Sequence, residues 1–430
     1  MRARIVAAFA VILACAGCSG TAQLRASQAP GASATHAAAE PAGSPRPASS
    51  GPPASSASLV VNSVSSPGCS TASAREPPLT GVRTAMVTDR GTSPFGIVVT
   101  PDGRWAFAAL GSSVEVYRIG SSLAPVPVRA IRVPATTAAP AAALGETLTP
   151  DARYLLVATG TGAAVLSVAR AEQGDPGALL GMLSDPASAG GAIEVAVSPD
   201  GDYAFVTEED AMQAAVFNLH RALTQGFSSQ DLVGDIPLGQ SPVGLAVSPD
   251  GHWLYATSEV APGQSGNTGT LTVISMARAQ TDPAGSVAVT VTAGCNPVRV
   301  ITSADGRDIW VTARASDDLL CFSASALRAN PAHALLAVVR VGEAPVGLRL
   351  VRNGTLIVVA DSNRFVVRGA TADLSVVNVA AALAARPAVL GSIPAGLFPR
   401  EMALVPGGRQ LLVTNYASGQ LEAVSVPSIR

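Results

Sequence analysis

From Leu79 onward, short apolar runs alternate with clusters of Pro, Asp, Asn and Gly, and the alternation repeats. Ser93-Pro94-Phe95-Gly96-Ile97-Val98-Val99-Thr100-Pro101-Asp102-Gly103 returns as Ser241-Pro242-Val243-Gly244-Leu245-Ala246-Val247-Ser248-Pro249-Asp250-Gly251, and more loosely five further times. The turns fall at Pro101-Asp102-Gly103, Pro150-Asp151-Ala152, Pro199-Asp200-Gly201, Pro249-Asp250-Gly251, Ala304-Asp305-Gly306, Arg352-Asn353-Gly354 and Pro406-Gly407-Gly408. Their middle residues lie 49, 49, 50, 55, 48 and 54 positions apart. A period of this size marks a repeated supersecondary unit that cannot bury its own faces alone, and here there are seven.

Each unit reads alike. A first strand ends at the turn, where Pro presets φ, Asp bonds its own backbone and Gly supplies positive φ. A second strand follows at once (Trp105 to Ala109, Tyr203 to Thr207, Leu411 to Thr414), then a third (Val114 to Ile119, Ala214 to Leu219, Leu421 to Val426). Stretches such as His220-Arg221-Ala222-Leu223 and Ala380-Ala381-Ala382-Leu383 predict short helical turns leading to a fourth, outer strand. Apolar runs without alternation, such as Ile97-Val98-Val99, fit strands covered on both faces. No long amphipathic helix separates successive strands, which argues against a parallel sheet. The pattern predicts an all-β fold over residues 79–430: a seven-bladed β-propeller of four-stranded antiparallel blades, each burying the faces of its neighbours. The last unit stops at its third strand, and the unassigned segment Val82 to Thr88 is expected to complete that blade and close the ring without a free edge.

The N-terminus reads differently. Arg2 and Arg4, the apolar run Ile5 to Leu13 and the small residues before Cys18 have the order of a secretion signal. Ala16-Gly17-Cys18 resembles a bacterial lipobox, with Cys15 where Leu is usual. That resemblance implies removal of residues 1–17 and lipidation of Cys18; cleavage before Cys15 is the alternative. Residues 18–78, rich in Ala, Ser, Pro, Gly and Thr, are expected to form a disordered tether, because such a composition buries too little apolar surface to offset its ordering entropy.

At 48% hydrophobic and 13% charged, the 430-residue chain can fill a large core. A formal net charge of -2, with Arg as the only strongly basic residue type, gives no nucleic-acid footprint. Two domain cysteines are left open as a Cys295–Cys321 disulfide or as two buried thiols, and the absence of a CxxC pair argues against zinc.

Val413-Thr414-Asn415, together with Trp310-Val311-Thr312 and Ala204-Phe205-Val206-Thr207, resembles the repeat of YVTN (YncE-like) bacterial extracytoplasmic propellers over about residues 82 to 427. The resemblance implies the fold and says little about activity. No Trp-Asp dipeptide of WD40 repeats is present.

Aligning the first strands by their turns puts Gly96, Gly145, Glu194, Gly244, Arg299, Gly347 and Glu401 in one slot near the channel mouth. Glu194, Arg299 and Glu401, with Arg400 adjacent, are expected to form a polar cluster there, read as either a structural ion-pair ring or a ligand site. The loops after the second strands add Glu208, Asp317, Asp361 and Asn415, with Glu209, Asp210, Asp318, Asn363 and Arg364 beside them. No calcium-loop pattern occurs, and neither metal nor cofactor is expected. The fold also resembles lactonase-type propellers, but His36, His220, His252 and His333 fall in the tether, a turn or outer connections, so no catalytic residue is assigned. The expected function is a monomeric, membrane-anchored, extracytoplasmic binding or scaffold module for an envelope protein, glycan or peptide. The alternatives are a lactonase-like hydrolase using Glu194 and Glu401 and, ranked last, a single-strand nucleic-acid binder.

Overall fold

Seven four-stranded antiparallel units form the ring. A computed structural model describes residues 59–65, 68–69, 74, 76–88, 93–134, 142–365 and 372–429. The expected signal segment, Cys18 and the tether up to residue 58 lie outside the described residues. Blade one consists of Pro94–Val99, Trp105–Leu110, Ser113–Arg118 and Val126–Arg132. Blades two to six occupy residues 146–184, 192–237, 240–295, 297–340 and 345–394. Blade seven combines Pro399–Leu404, Gln410–Asn415 and Gln420–Ser425 with Thr84–Thr88, which pairs antiparallel with Gln420–Ser425 in the register Thr84↔Val424 to Thr88↔Gln420. The ring is therefore closed by the expected strand. First strands line the axis, and those of successive blades are neighbours all round, the seventh touching the first.

The turn chemistry is local and repeated. The Thr100 hydroxyl donates to Asp102 Oδ1 at 2.6 Å and accepts the Trp105 N–H at 3.2 Å, while Asp102 Oδ1 accepts the Arg104 N–H at 3.0 Å. Thr149, Ser198, Ser248 and Ser303 repeat the arrangement. Gly103 and Gly251 take φ values of 69° and 73°, which a side chain rarely adopts. Short helices join third to fourth strands as predicted. Asn218 and Asn378 cap Leu219–Gln225 and Val379–Leu383, accepting the Arg221 and Ala381 N–H at 2.8 Å each.

One joint recurs between blades. In blades three, four, five and seven a buried Thr stands opposite the slot residue: Thr207, Thr257, Thr312 and Thr414. Its Oγ1 accepts the slot N–H, at 3.0 Å from Glu194, 3.0 Å from Gly244, 3.1 Å from Arg299 and 3.0 Å from Glu401. The same hydroxyl donates to the carbonyl that precedes the slot in the next blade: Thr257 to Val298 at 2.8 Å, Thr312 to Val346 at 2.6 Å, Thr414 to Phe95 at 2.9 Å. Blade two does without the Thr, because the Gly145 N–H reaches the Ile193 carbonyl directly at 2.8 Å. A Cβ on Gly145 would lie 2.6 Å from that oxygen. Backbone approach is why this slot holds glycine.

Two expectations need correction. Cys295 is bonded to Cys69, not to Cys321. Cys295 ends the outer strand of blade four, whereas Cys321 is buried within the third strand of blade five, opposite Trp310, so the two belong to different sheets. Part of the segment expected to be a loose tether is also attached to the ring. Val61–Asn62 adds a fifth, parallel strand to blade four, with Val61↔Thr290 and Asn62↔Val291, and Val64 is buried among Val291, Ala293 and Leu271. Strand pairing, one buried Val and a disulfide hold residues whose average composition suggested freedom. They also cover an edge that would otherwise be open to another chain.

Replacing Thr312 by Val keeps the volume but strands a buried carbonyl of blade six and the Arg299 N–H. Each orphaned group costs about 1–3 kcal/mol, so T312V should lower Tm by several degrees in calorimetry, whereas an exposed Thr281→Val should not. Equal melting of both variants would show that the joint carries no stability.

Candidate functional site

The slot and its neighbours build the axis in layers. The residues just before the slot, Phe95, Ile193, Val243, Val298 and Val346, are buried in one apolar cluster that forms a collar about the axis. Blade seven contributes Arg400 at this position instead. Beyond the collar, Glu194, Arg299 and Glu401 meet. Arg299 Nη2 lies 3.4 Å from Glu194 Oε2, its Nε is paired with Glu401 Oε1, and its Nη1 donates to the Val243 carbonyl at 3.3 Å. One guanidinium thus straps blades three, four, five and seven together across the axis. This triad caps a cavity of about 350 Å³ that runs toward the Pro-Asp-Gly turns and is also lined by Glu146, Arg349, Leu245 and Met402. The expected cluster is formed, beneath the collar rather than at the mouth.

Burial dominates the charges. It pushes the Glu194 carboxyl up to about 8 despite Arg299, with Glu401 adding repulsion. Burial, then Glu194, holds Glu146 well above the ordinary carboxyl range. Burial opposes the charge on Arg299, but Glu401 and Glu194 outweigh it. A protonated Glu194 beside the charged Arg299 lowers the number of bare charges that this largely buried site must hold.

Arg400 has different surroundings. Its guanidinium carbon lies 3.5 Å from the Phe95 ring centroid, 5.5 Å from Phe398 and 5.7 Å from Tyr416, and its Nε has no hydrogen-bond partner. Burial, then Arg299, lowers its pKa to about 9, leaving it charged at neutral pH. Arg364 stands near the same ring from blade six, 5.9 Å from Phe398. Arg314 is ion-paired with Glu259 at 2.7 Å, and both are buried. The mouth thus combines cations with aromatic faces, the arrangement that cation–π attraction stabilises.

The remaining sequence candidates turn away from the axis. Glu208 accepts from Gln213 Nε2 at 2.8 Å, and burial raises it to about 7. Asp361 accepts the Ser375 N–H at 2.9 Å and shares its surroundings with Asp373. Asn415 donates to Glu422 at 3.0 Å, and Asp317 Oδ1 accepts the Ala344 N–H at 2.9 Å. These four are buried and fasten blades and loops. Glu146, Arg349 and the rings around Arg400 were not singled out from sequence. The mouth column, nine residues past the middle of each turn, runs Gly111, Gly160, Glu209, Glu259, Arg314, Ser362 and Tyr416, and the repeat alignment would have produced it if carried one position further. Among the described residues, no group of three His, Cys, Asp or Glu is placed to hold a metal ion.

The fold and its axial site define a seven-bladed β-propeller. Among solved structures it is similar to a chain of the hydrazine synthase of Kuenenia stuttgartiensis, with a TM-score of 0.61 and 17% identity, covering 79% of this chain and 97% of that one. At that identity the likeness extends to the fold alone. No family model matches the sequence, and no curated protein does.

A carboxyl whose pKa rises on folding stabilises the fold fully below its unfolded value and loses that contribution as pH climbs to the folded one. For Glu194 the window runs from about 4.5 to about 8. Wild-type Tm should therefore fall more steeply across this window than that of Glu194→Gln, measured side by side. Parallel pH profiles would mean that Glu194 is ionised in the fold.

Proposed function

We propose that this protein is a non-catalytic binding module of the YVTN-repeat type, held in the cell envelope by a lipid on Cys18, that recognises its partner at the channel mouth. The reading rests above all on Arg400, a charged guanidinium boxed by Phe95, Phe398 and Tyr416 with its Nε unpartnered. Retaining such a group costs stability, and an external anion is what would offset it. The apolar collar between the mouth and the axial cavity supports recognition at the mouth. Val413-Thr414-Asn415 supports the family placement, and the Arg2–Cys18 pattern supports the anchor.

The detergent-solubilised full chain should capture a specific component from cell-envelope extract, and Arg400→Gln or Arg364→Gln should abolish that capture while Tm stays within a few degrees. Undiminished capture by both variants would overturn the mouth as the recognition face. A second reading, hydrolysis of a lactone or small ester, is favoured by Glu194 and Glu146, two carboxyls whose pKa burial raises, beside the channel cavity. Turnover of such substrates that disappears in Glu194→Gln would replace the binding reading.

The anchor is tested separately. In Triton X-114 partitioning of the membrane fraction, wild-type protein should enter the detergent phase and Cys18→Ser the aqueous phase. Identical partitioning of the two would exclude lipidation at Cys18.

A further inference from the structure

We infer that the groove between blades six and seven on the mouth face receives the C-terminal segment of a peptide, its carboxylate set at Arg364. The inference rests on the mouth being the recognition face, and it names the ligand class.

The groove has a volume of about 760 Å³, within the range of sites that enclose a ligand. Its walls carry an apolar stripe of Pro78, Pro394, Leu397 and Phe398, with Ser362, Asn363, Asp373 and Ser392 beside it. Leu397 keeps 63% of its surface exposed beside it, and Phe365 on the adjoining loop keeps 54%. Large apolar side chains left bare around one groove mark a contact surface.

The two ends carry opposite charge. At the axial end the Arg364 guanidinium lies 5.9 Å from the Phe398 ring, and that of Arg400 lies 5.5 Å from the same ring. The two cations repel each other, and neither is ion-paired among the described residues. At the rim the groove ends on Glu76, whose segment is fixed to the outer strand of blade six by the Leu79 N–H to Ser392 carbonyl bond at 2.7 Å.

A carboxylate matches the planar fork of a guanidinium and accepts two parallel hydrogen bonds from it. A free small anion would satisfy the axial end and leave the apolar walls uncovered. A peptide terminus satisfies both, because the side chain beside its carboxylate meets Phe398 and Leu397 while the extended chain, rising about 3.3–3.6 Å per residue, runs outward. A basic residue several positions back then meets Glu76. Charge order and apolar lining together fix the direction in which the peptide lies.

The probe is a fluorescein-labelled hexapeptide pool ending in Leu, Ile or Phe, with Lys four positions from the end, prepared as the free acid and as the C-terminal amide. Fluorescence polarisation with the full chain should show saturable binding of the acid and at least tenfold weaker binding of the amide. Arg364→Gln should weaken the acid at least tenfold, and Leu397→Ser should weaken acid and amide alike. Equal affinity for acid and amide, or no saturable binding of the acid, overturns the inference. If extract capture still depends on Arg400 in that event, the mouth remains the recognition face and only the ligand class is wrong; if capture is also independent of Arg400 and Arg364, the binding reading fails with it.

Discussion

The buried backbone carbonyl that precedes each slot is the constraint on which the ring depends. Blades of a propeller meet face to face near the axis, where backbone edges would be left without partners and without water, at a cost comparable to a lost hydrogen bond for each group. This chain resolves the problem in two ways. A Thr hydroxyl accepts from one blade and donates to the next, as at Thr312 and Thr414, or a glycine slot brings the two backbones into direct contact, as at Gly145. Both solutions hold the first strands at one spacing, and that spacing sets the width of the channel.

The chemistry of the axis follows from this spacing. Where a slot carries a side chain instead of glycine, the side chain enters a narrow, largely buried space that every blade faces. Glu194, Arg299 and Glu401 come from blades three, five and seven, so their charges can cancel only by crossing the axis, and the Arg299 strap does so. Protonation contributes as well, since burial lifts the Glu194 carboxyl to about 8 and pushes Glu146 in the same direction. The triad is thereby committed to structure in a way that Arg400 is not. Arg400 lies at the collar level, where rings stabilise its charge without neutralising it.

The fold was legible because the turn signature is enforced by local hydrogen bonds, as at Thr100, Asp102 and Trp105, and local chemistry leaves a mark at a fixed period. Closure by Thr84–Thr88 was legible because a blade lacking one strand requires one. The triad was legible because seven aligned slots put Glu194, Arg299 and Glu401 in one plane. Glu208, Asp361 and Asn415 were placed at the mouth by counting to the end of the second strand, but side chains alternate along a strand. The preceding Thr207 and Thr414 face the next blade, so Glu208 and Asn415 face the opposite side and are absorbed into blade packing. The Cys69–Cys295 bond was illegible for another reason. Average composition hid the short run Leu59-Val60-Val61-Asn62-Ser63-Val64, a β-forming stretch that needs only the edge of blade four to become ordered.

Separating the residues that hold the ring from those that face its mouth explains how such a scaffold diverges. The Thr joints, glycine slots and turns are satisfied by backbone partners and require few particular side chains elsewhere, which fits a shared fold at 17% identity. The mouth column is under no such demand, since Gly111 and Gly160 serve there as well as Glu209 or Tyr416. What gathers at the mouth is therefore left open by the demands of the ring. Here cations and aromatic rings collect on the side of blades six, seven and one, around Arg364, Phe398, Tyr416, Arg400 and Phe95, while Glu209 stands on blade three and the Glu259–Arg314 pair on blades four and five. Seven similar repeats would by themselves give a symmetric mouth. The asymmetry comes from side chains that the ring does not need, and it gives the mouth one charged, ring-lined side on which a ligand can be oriented.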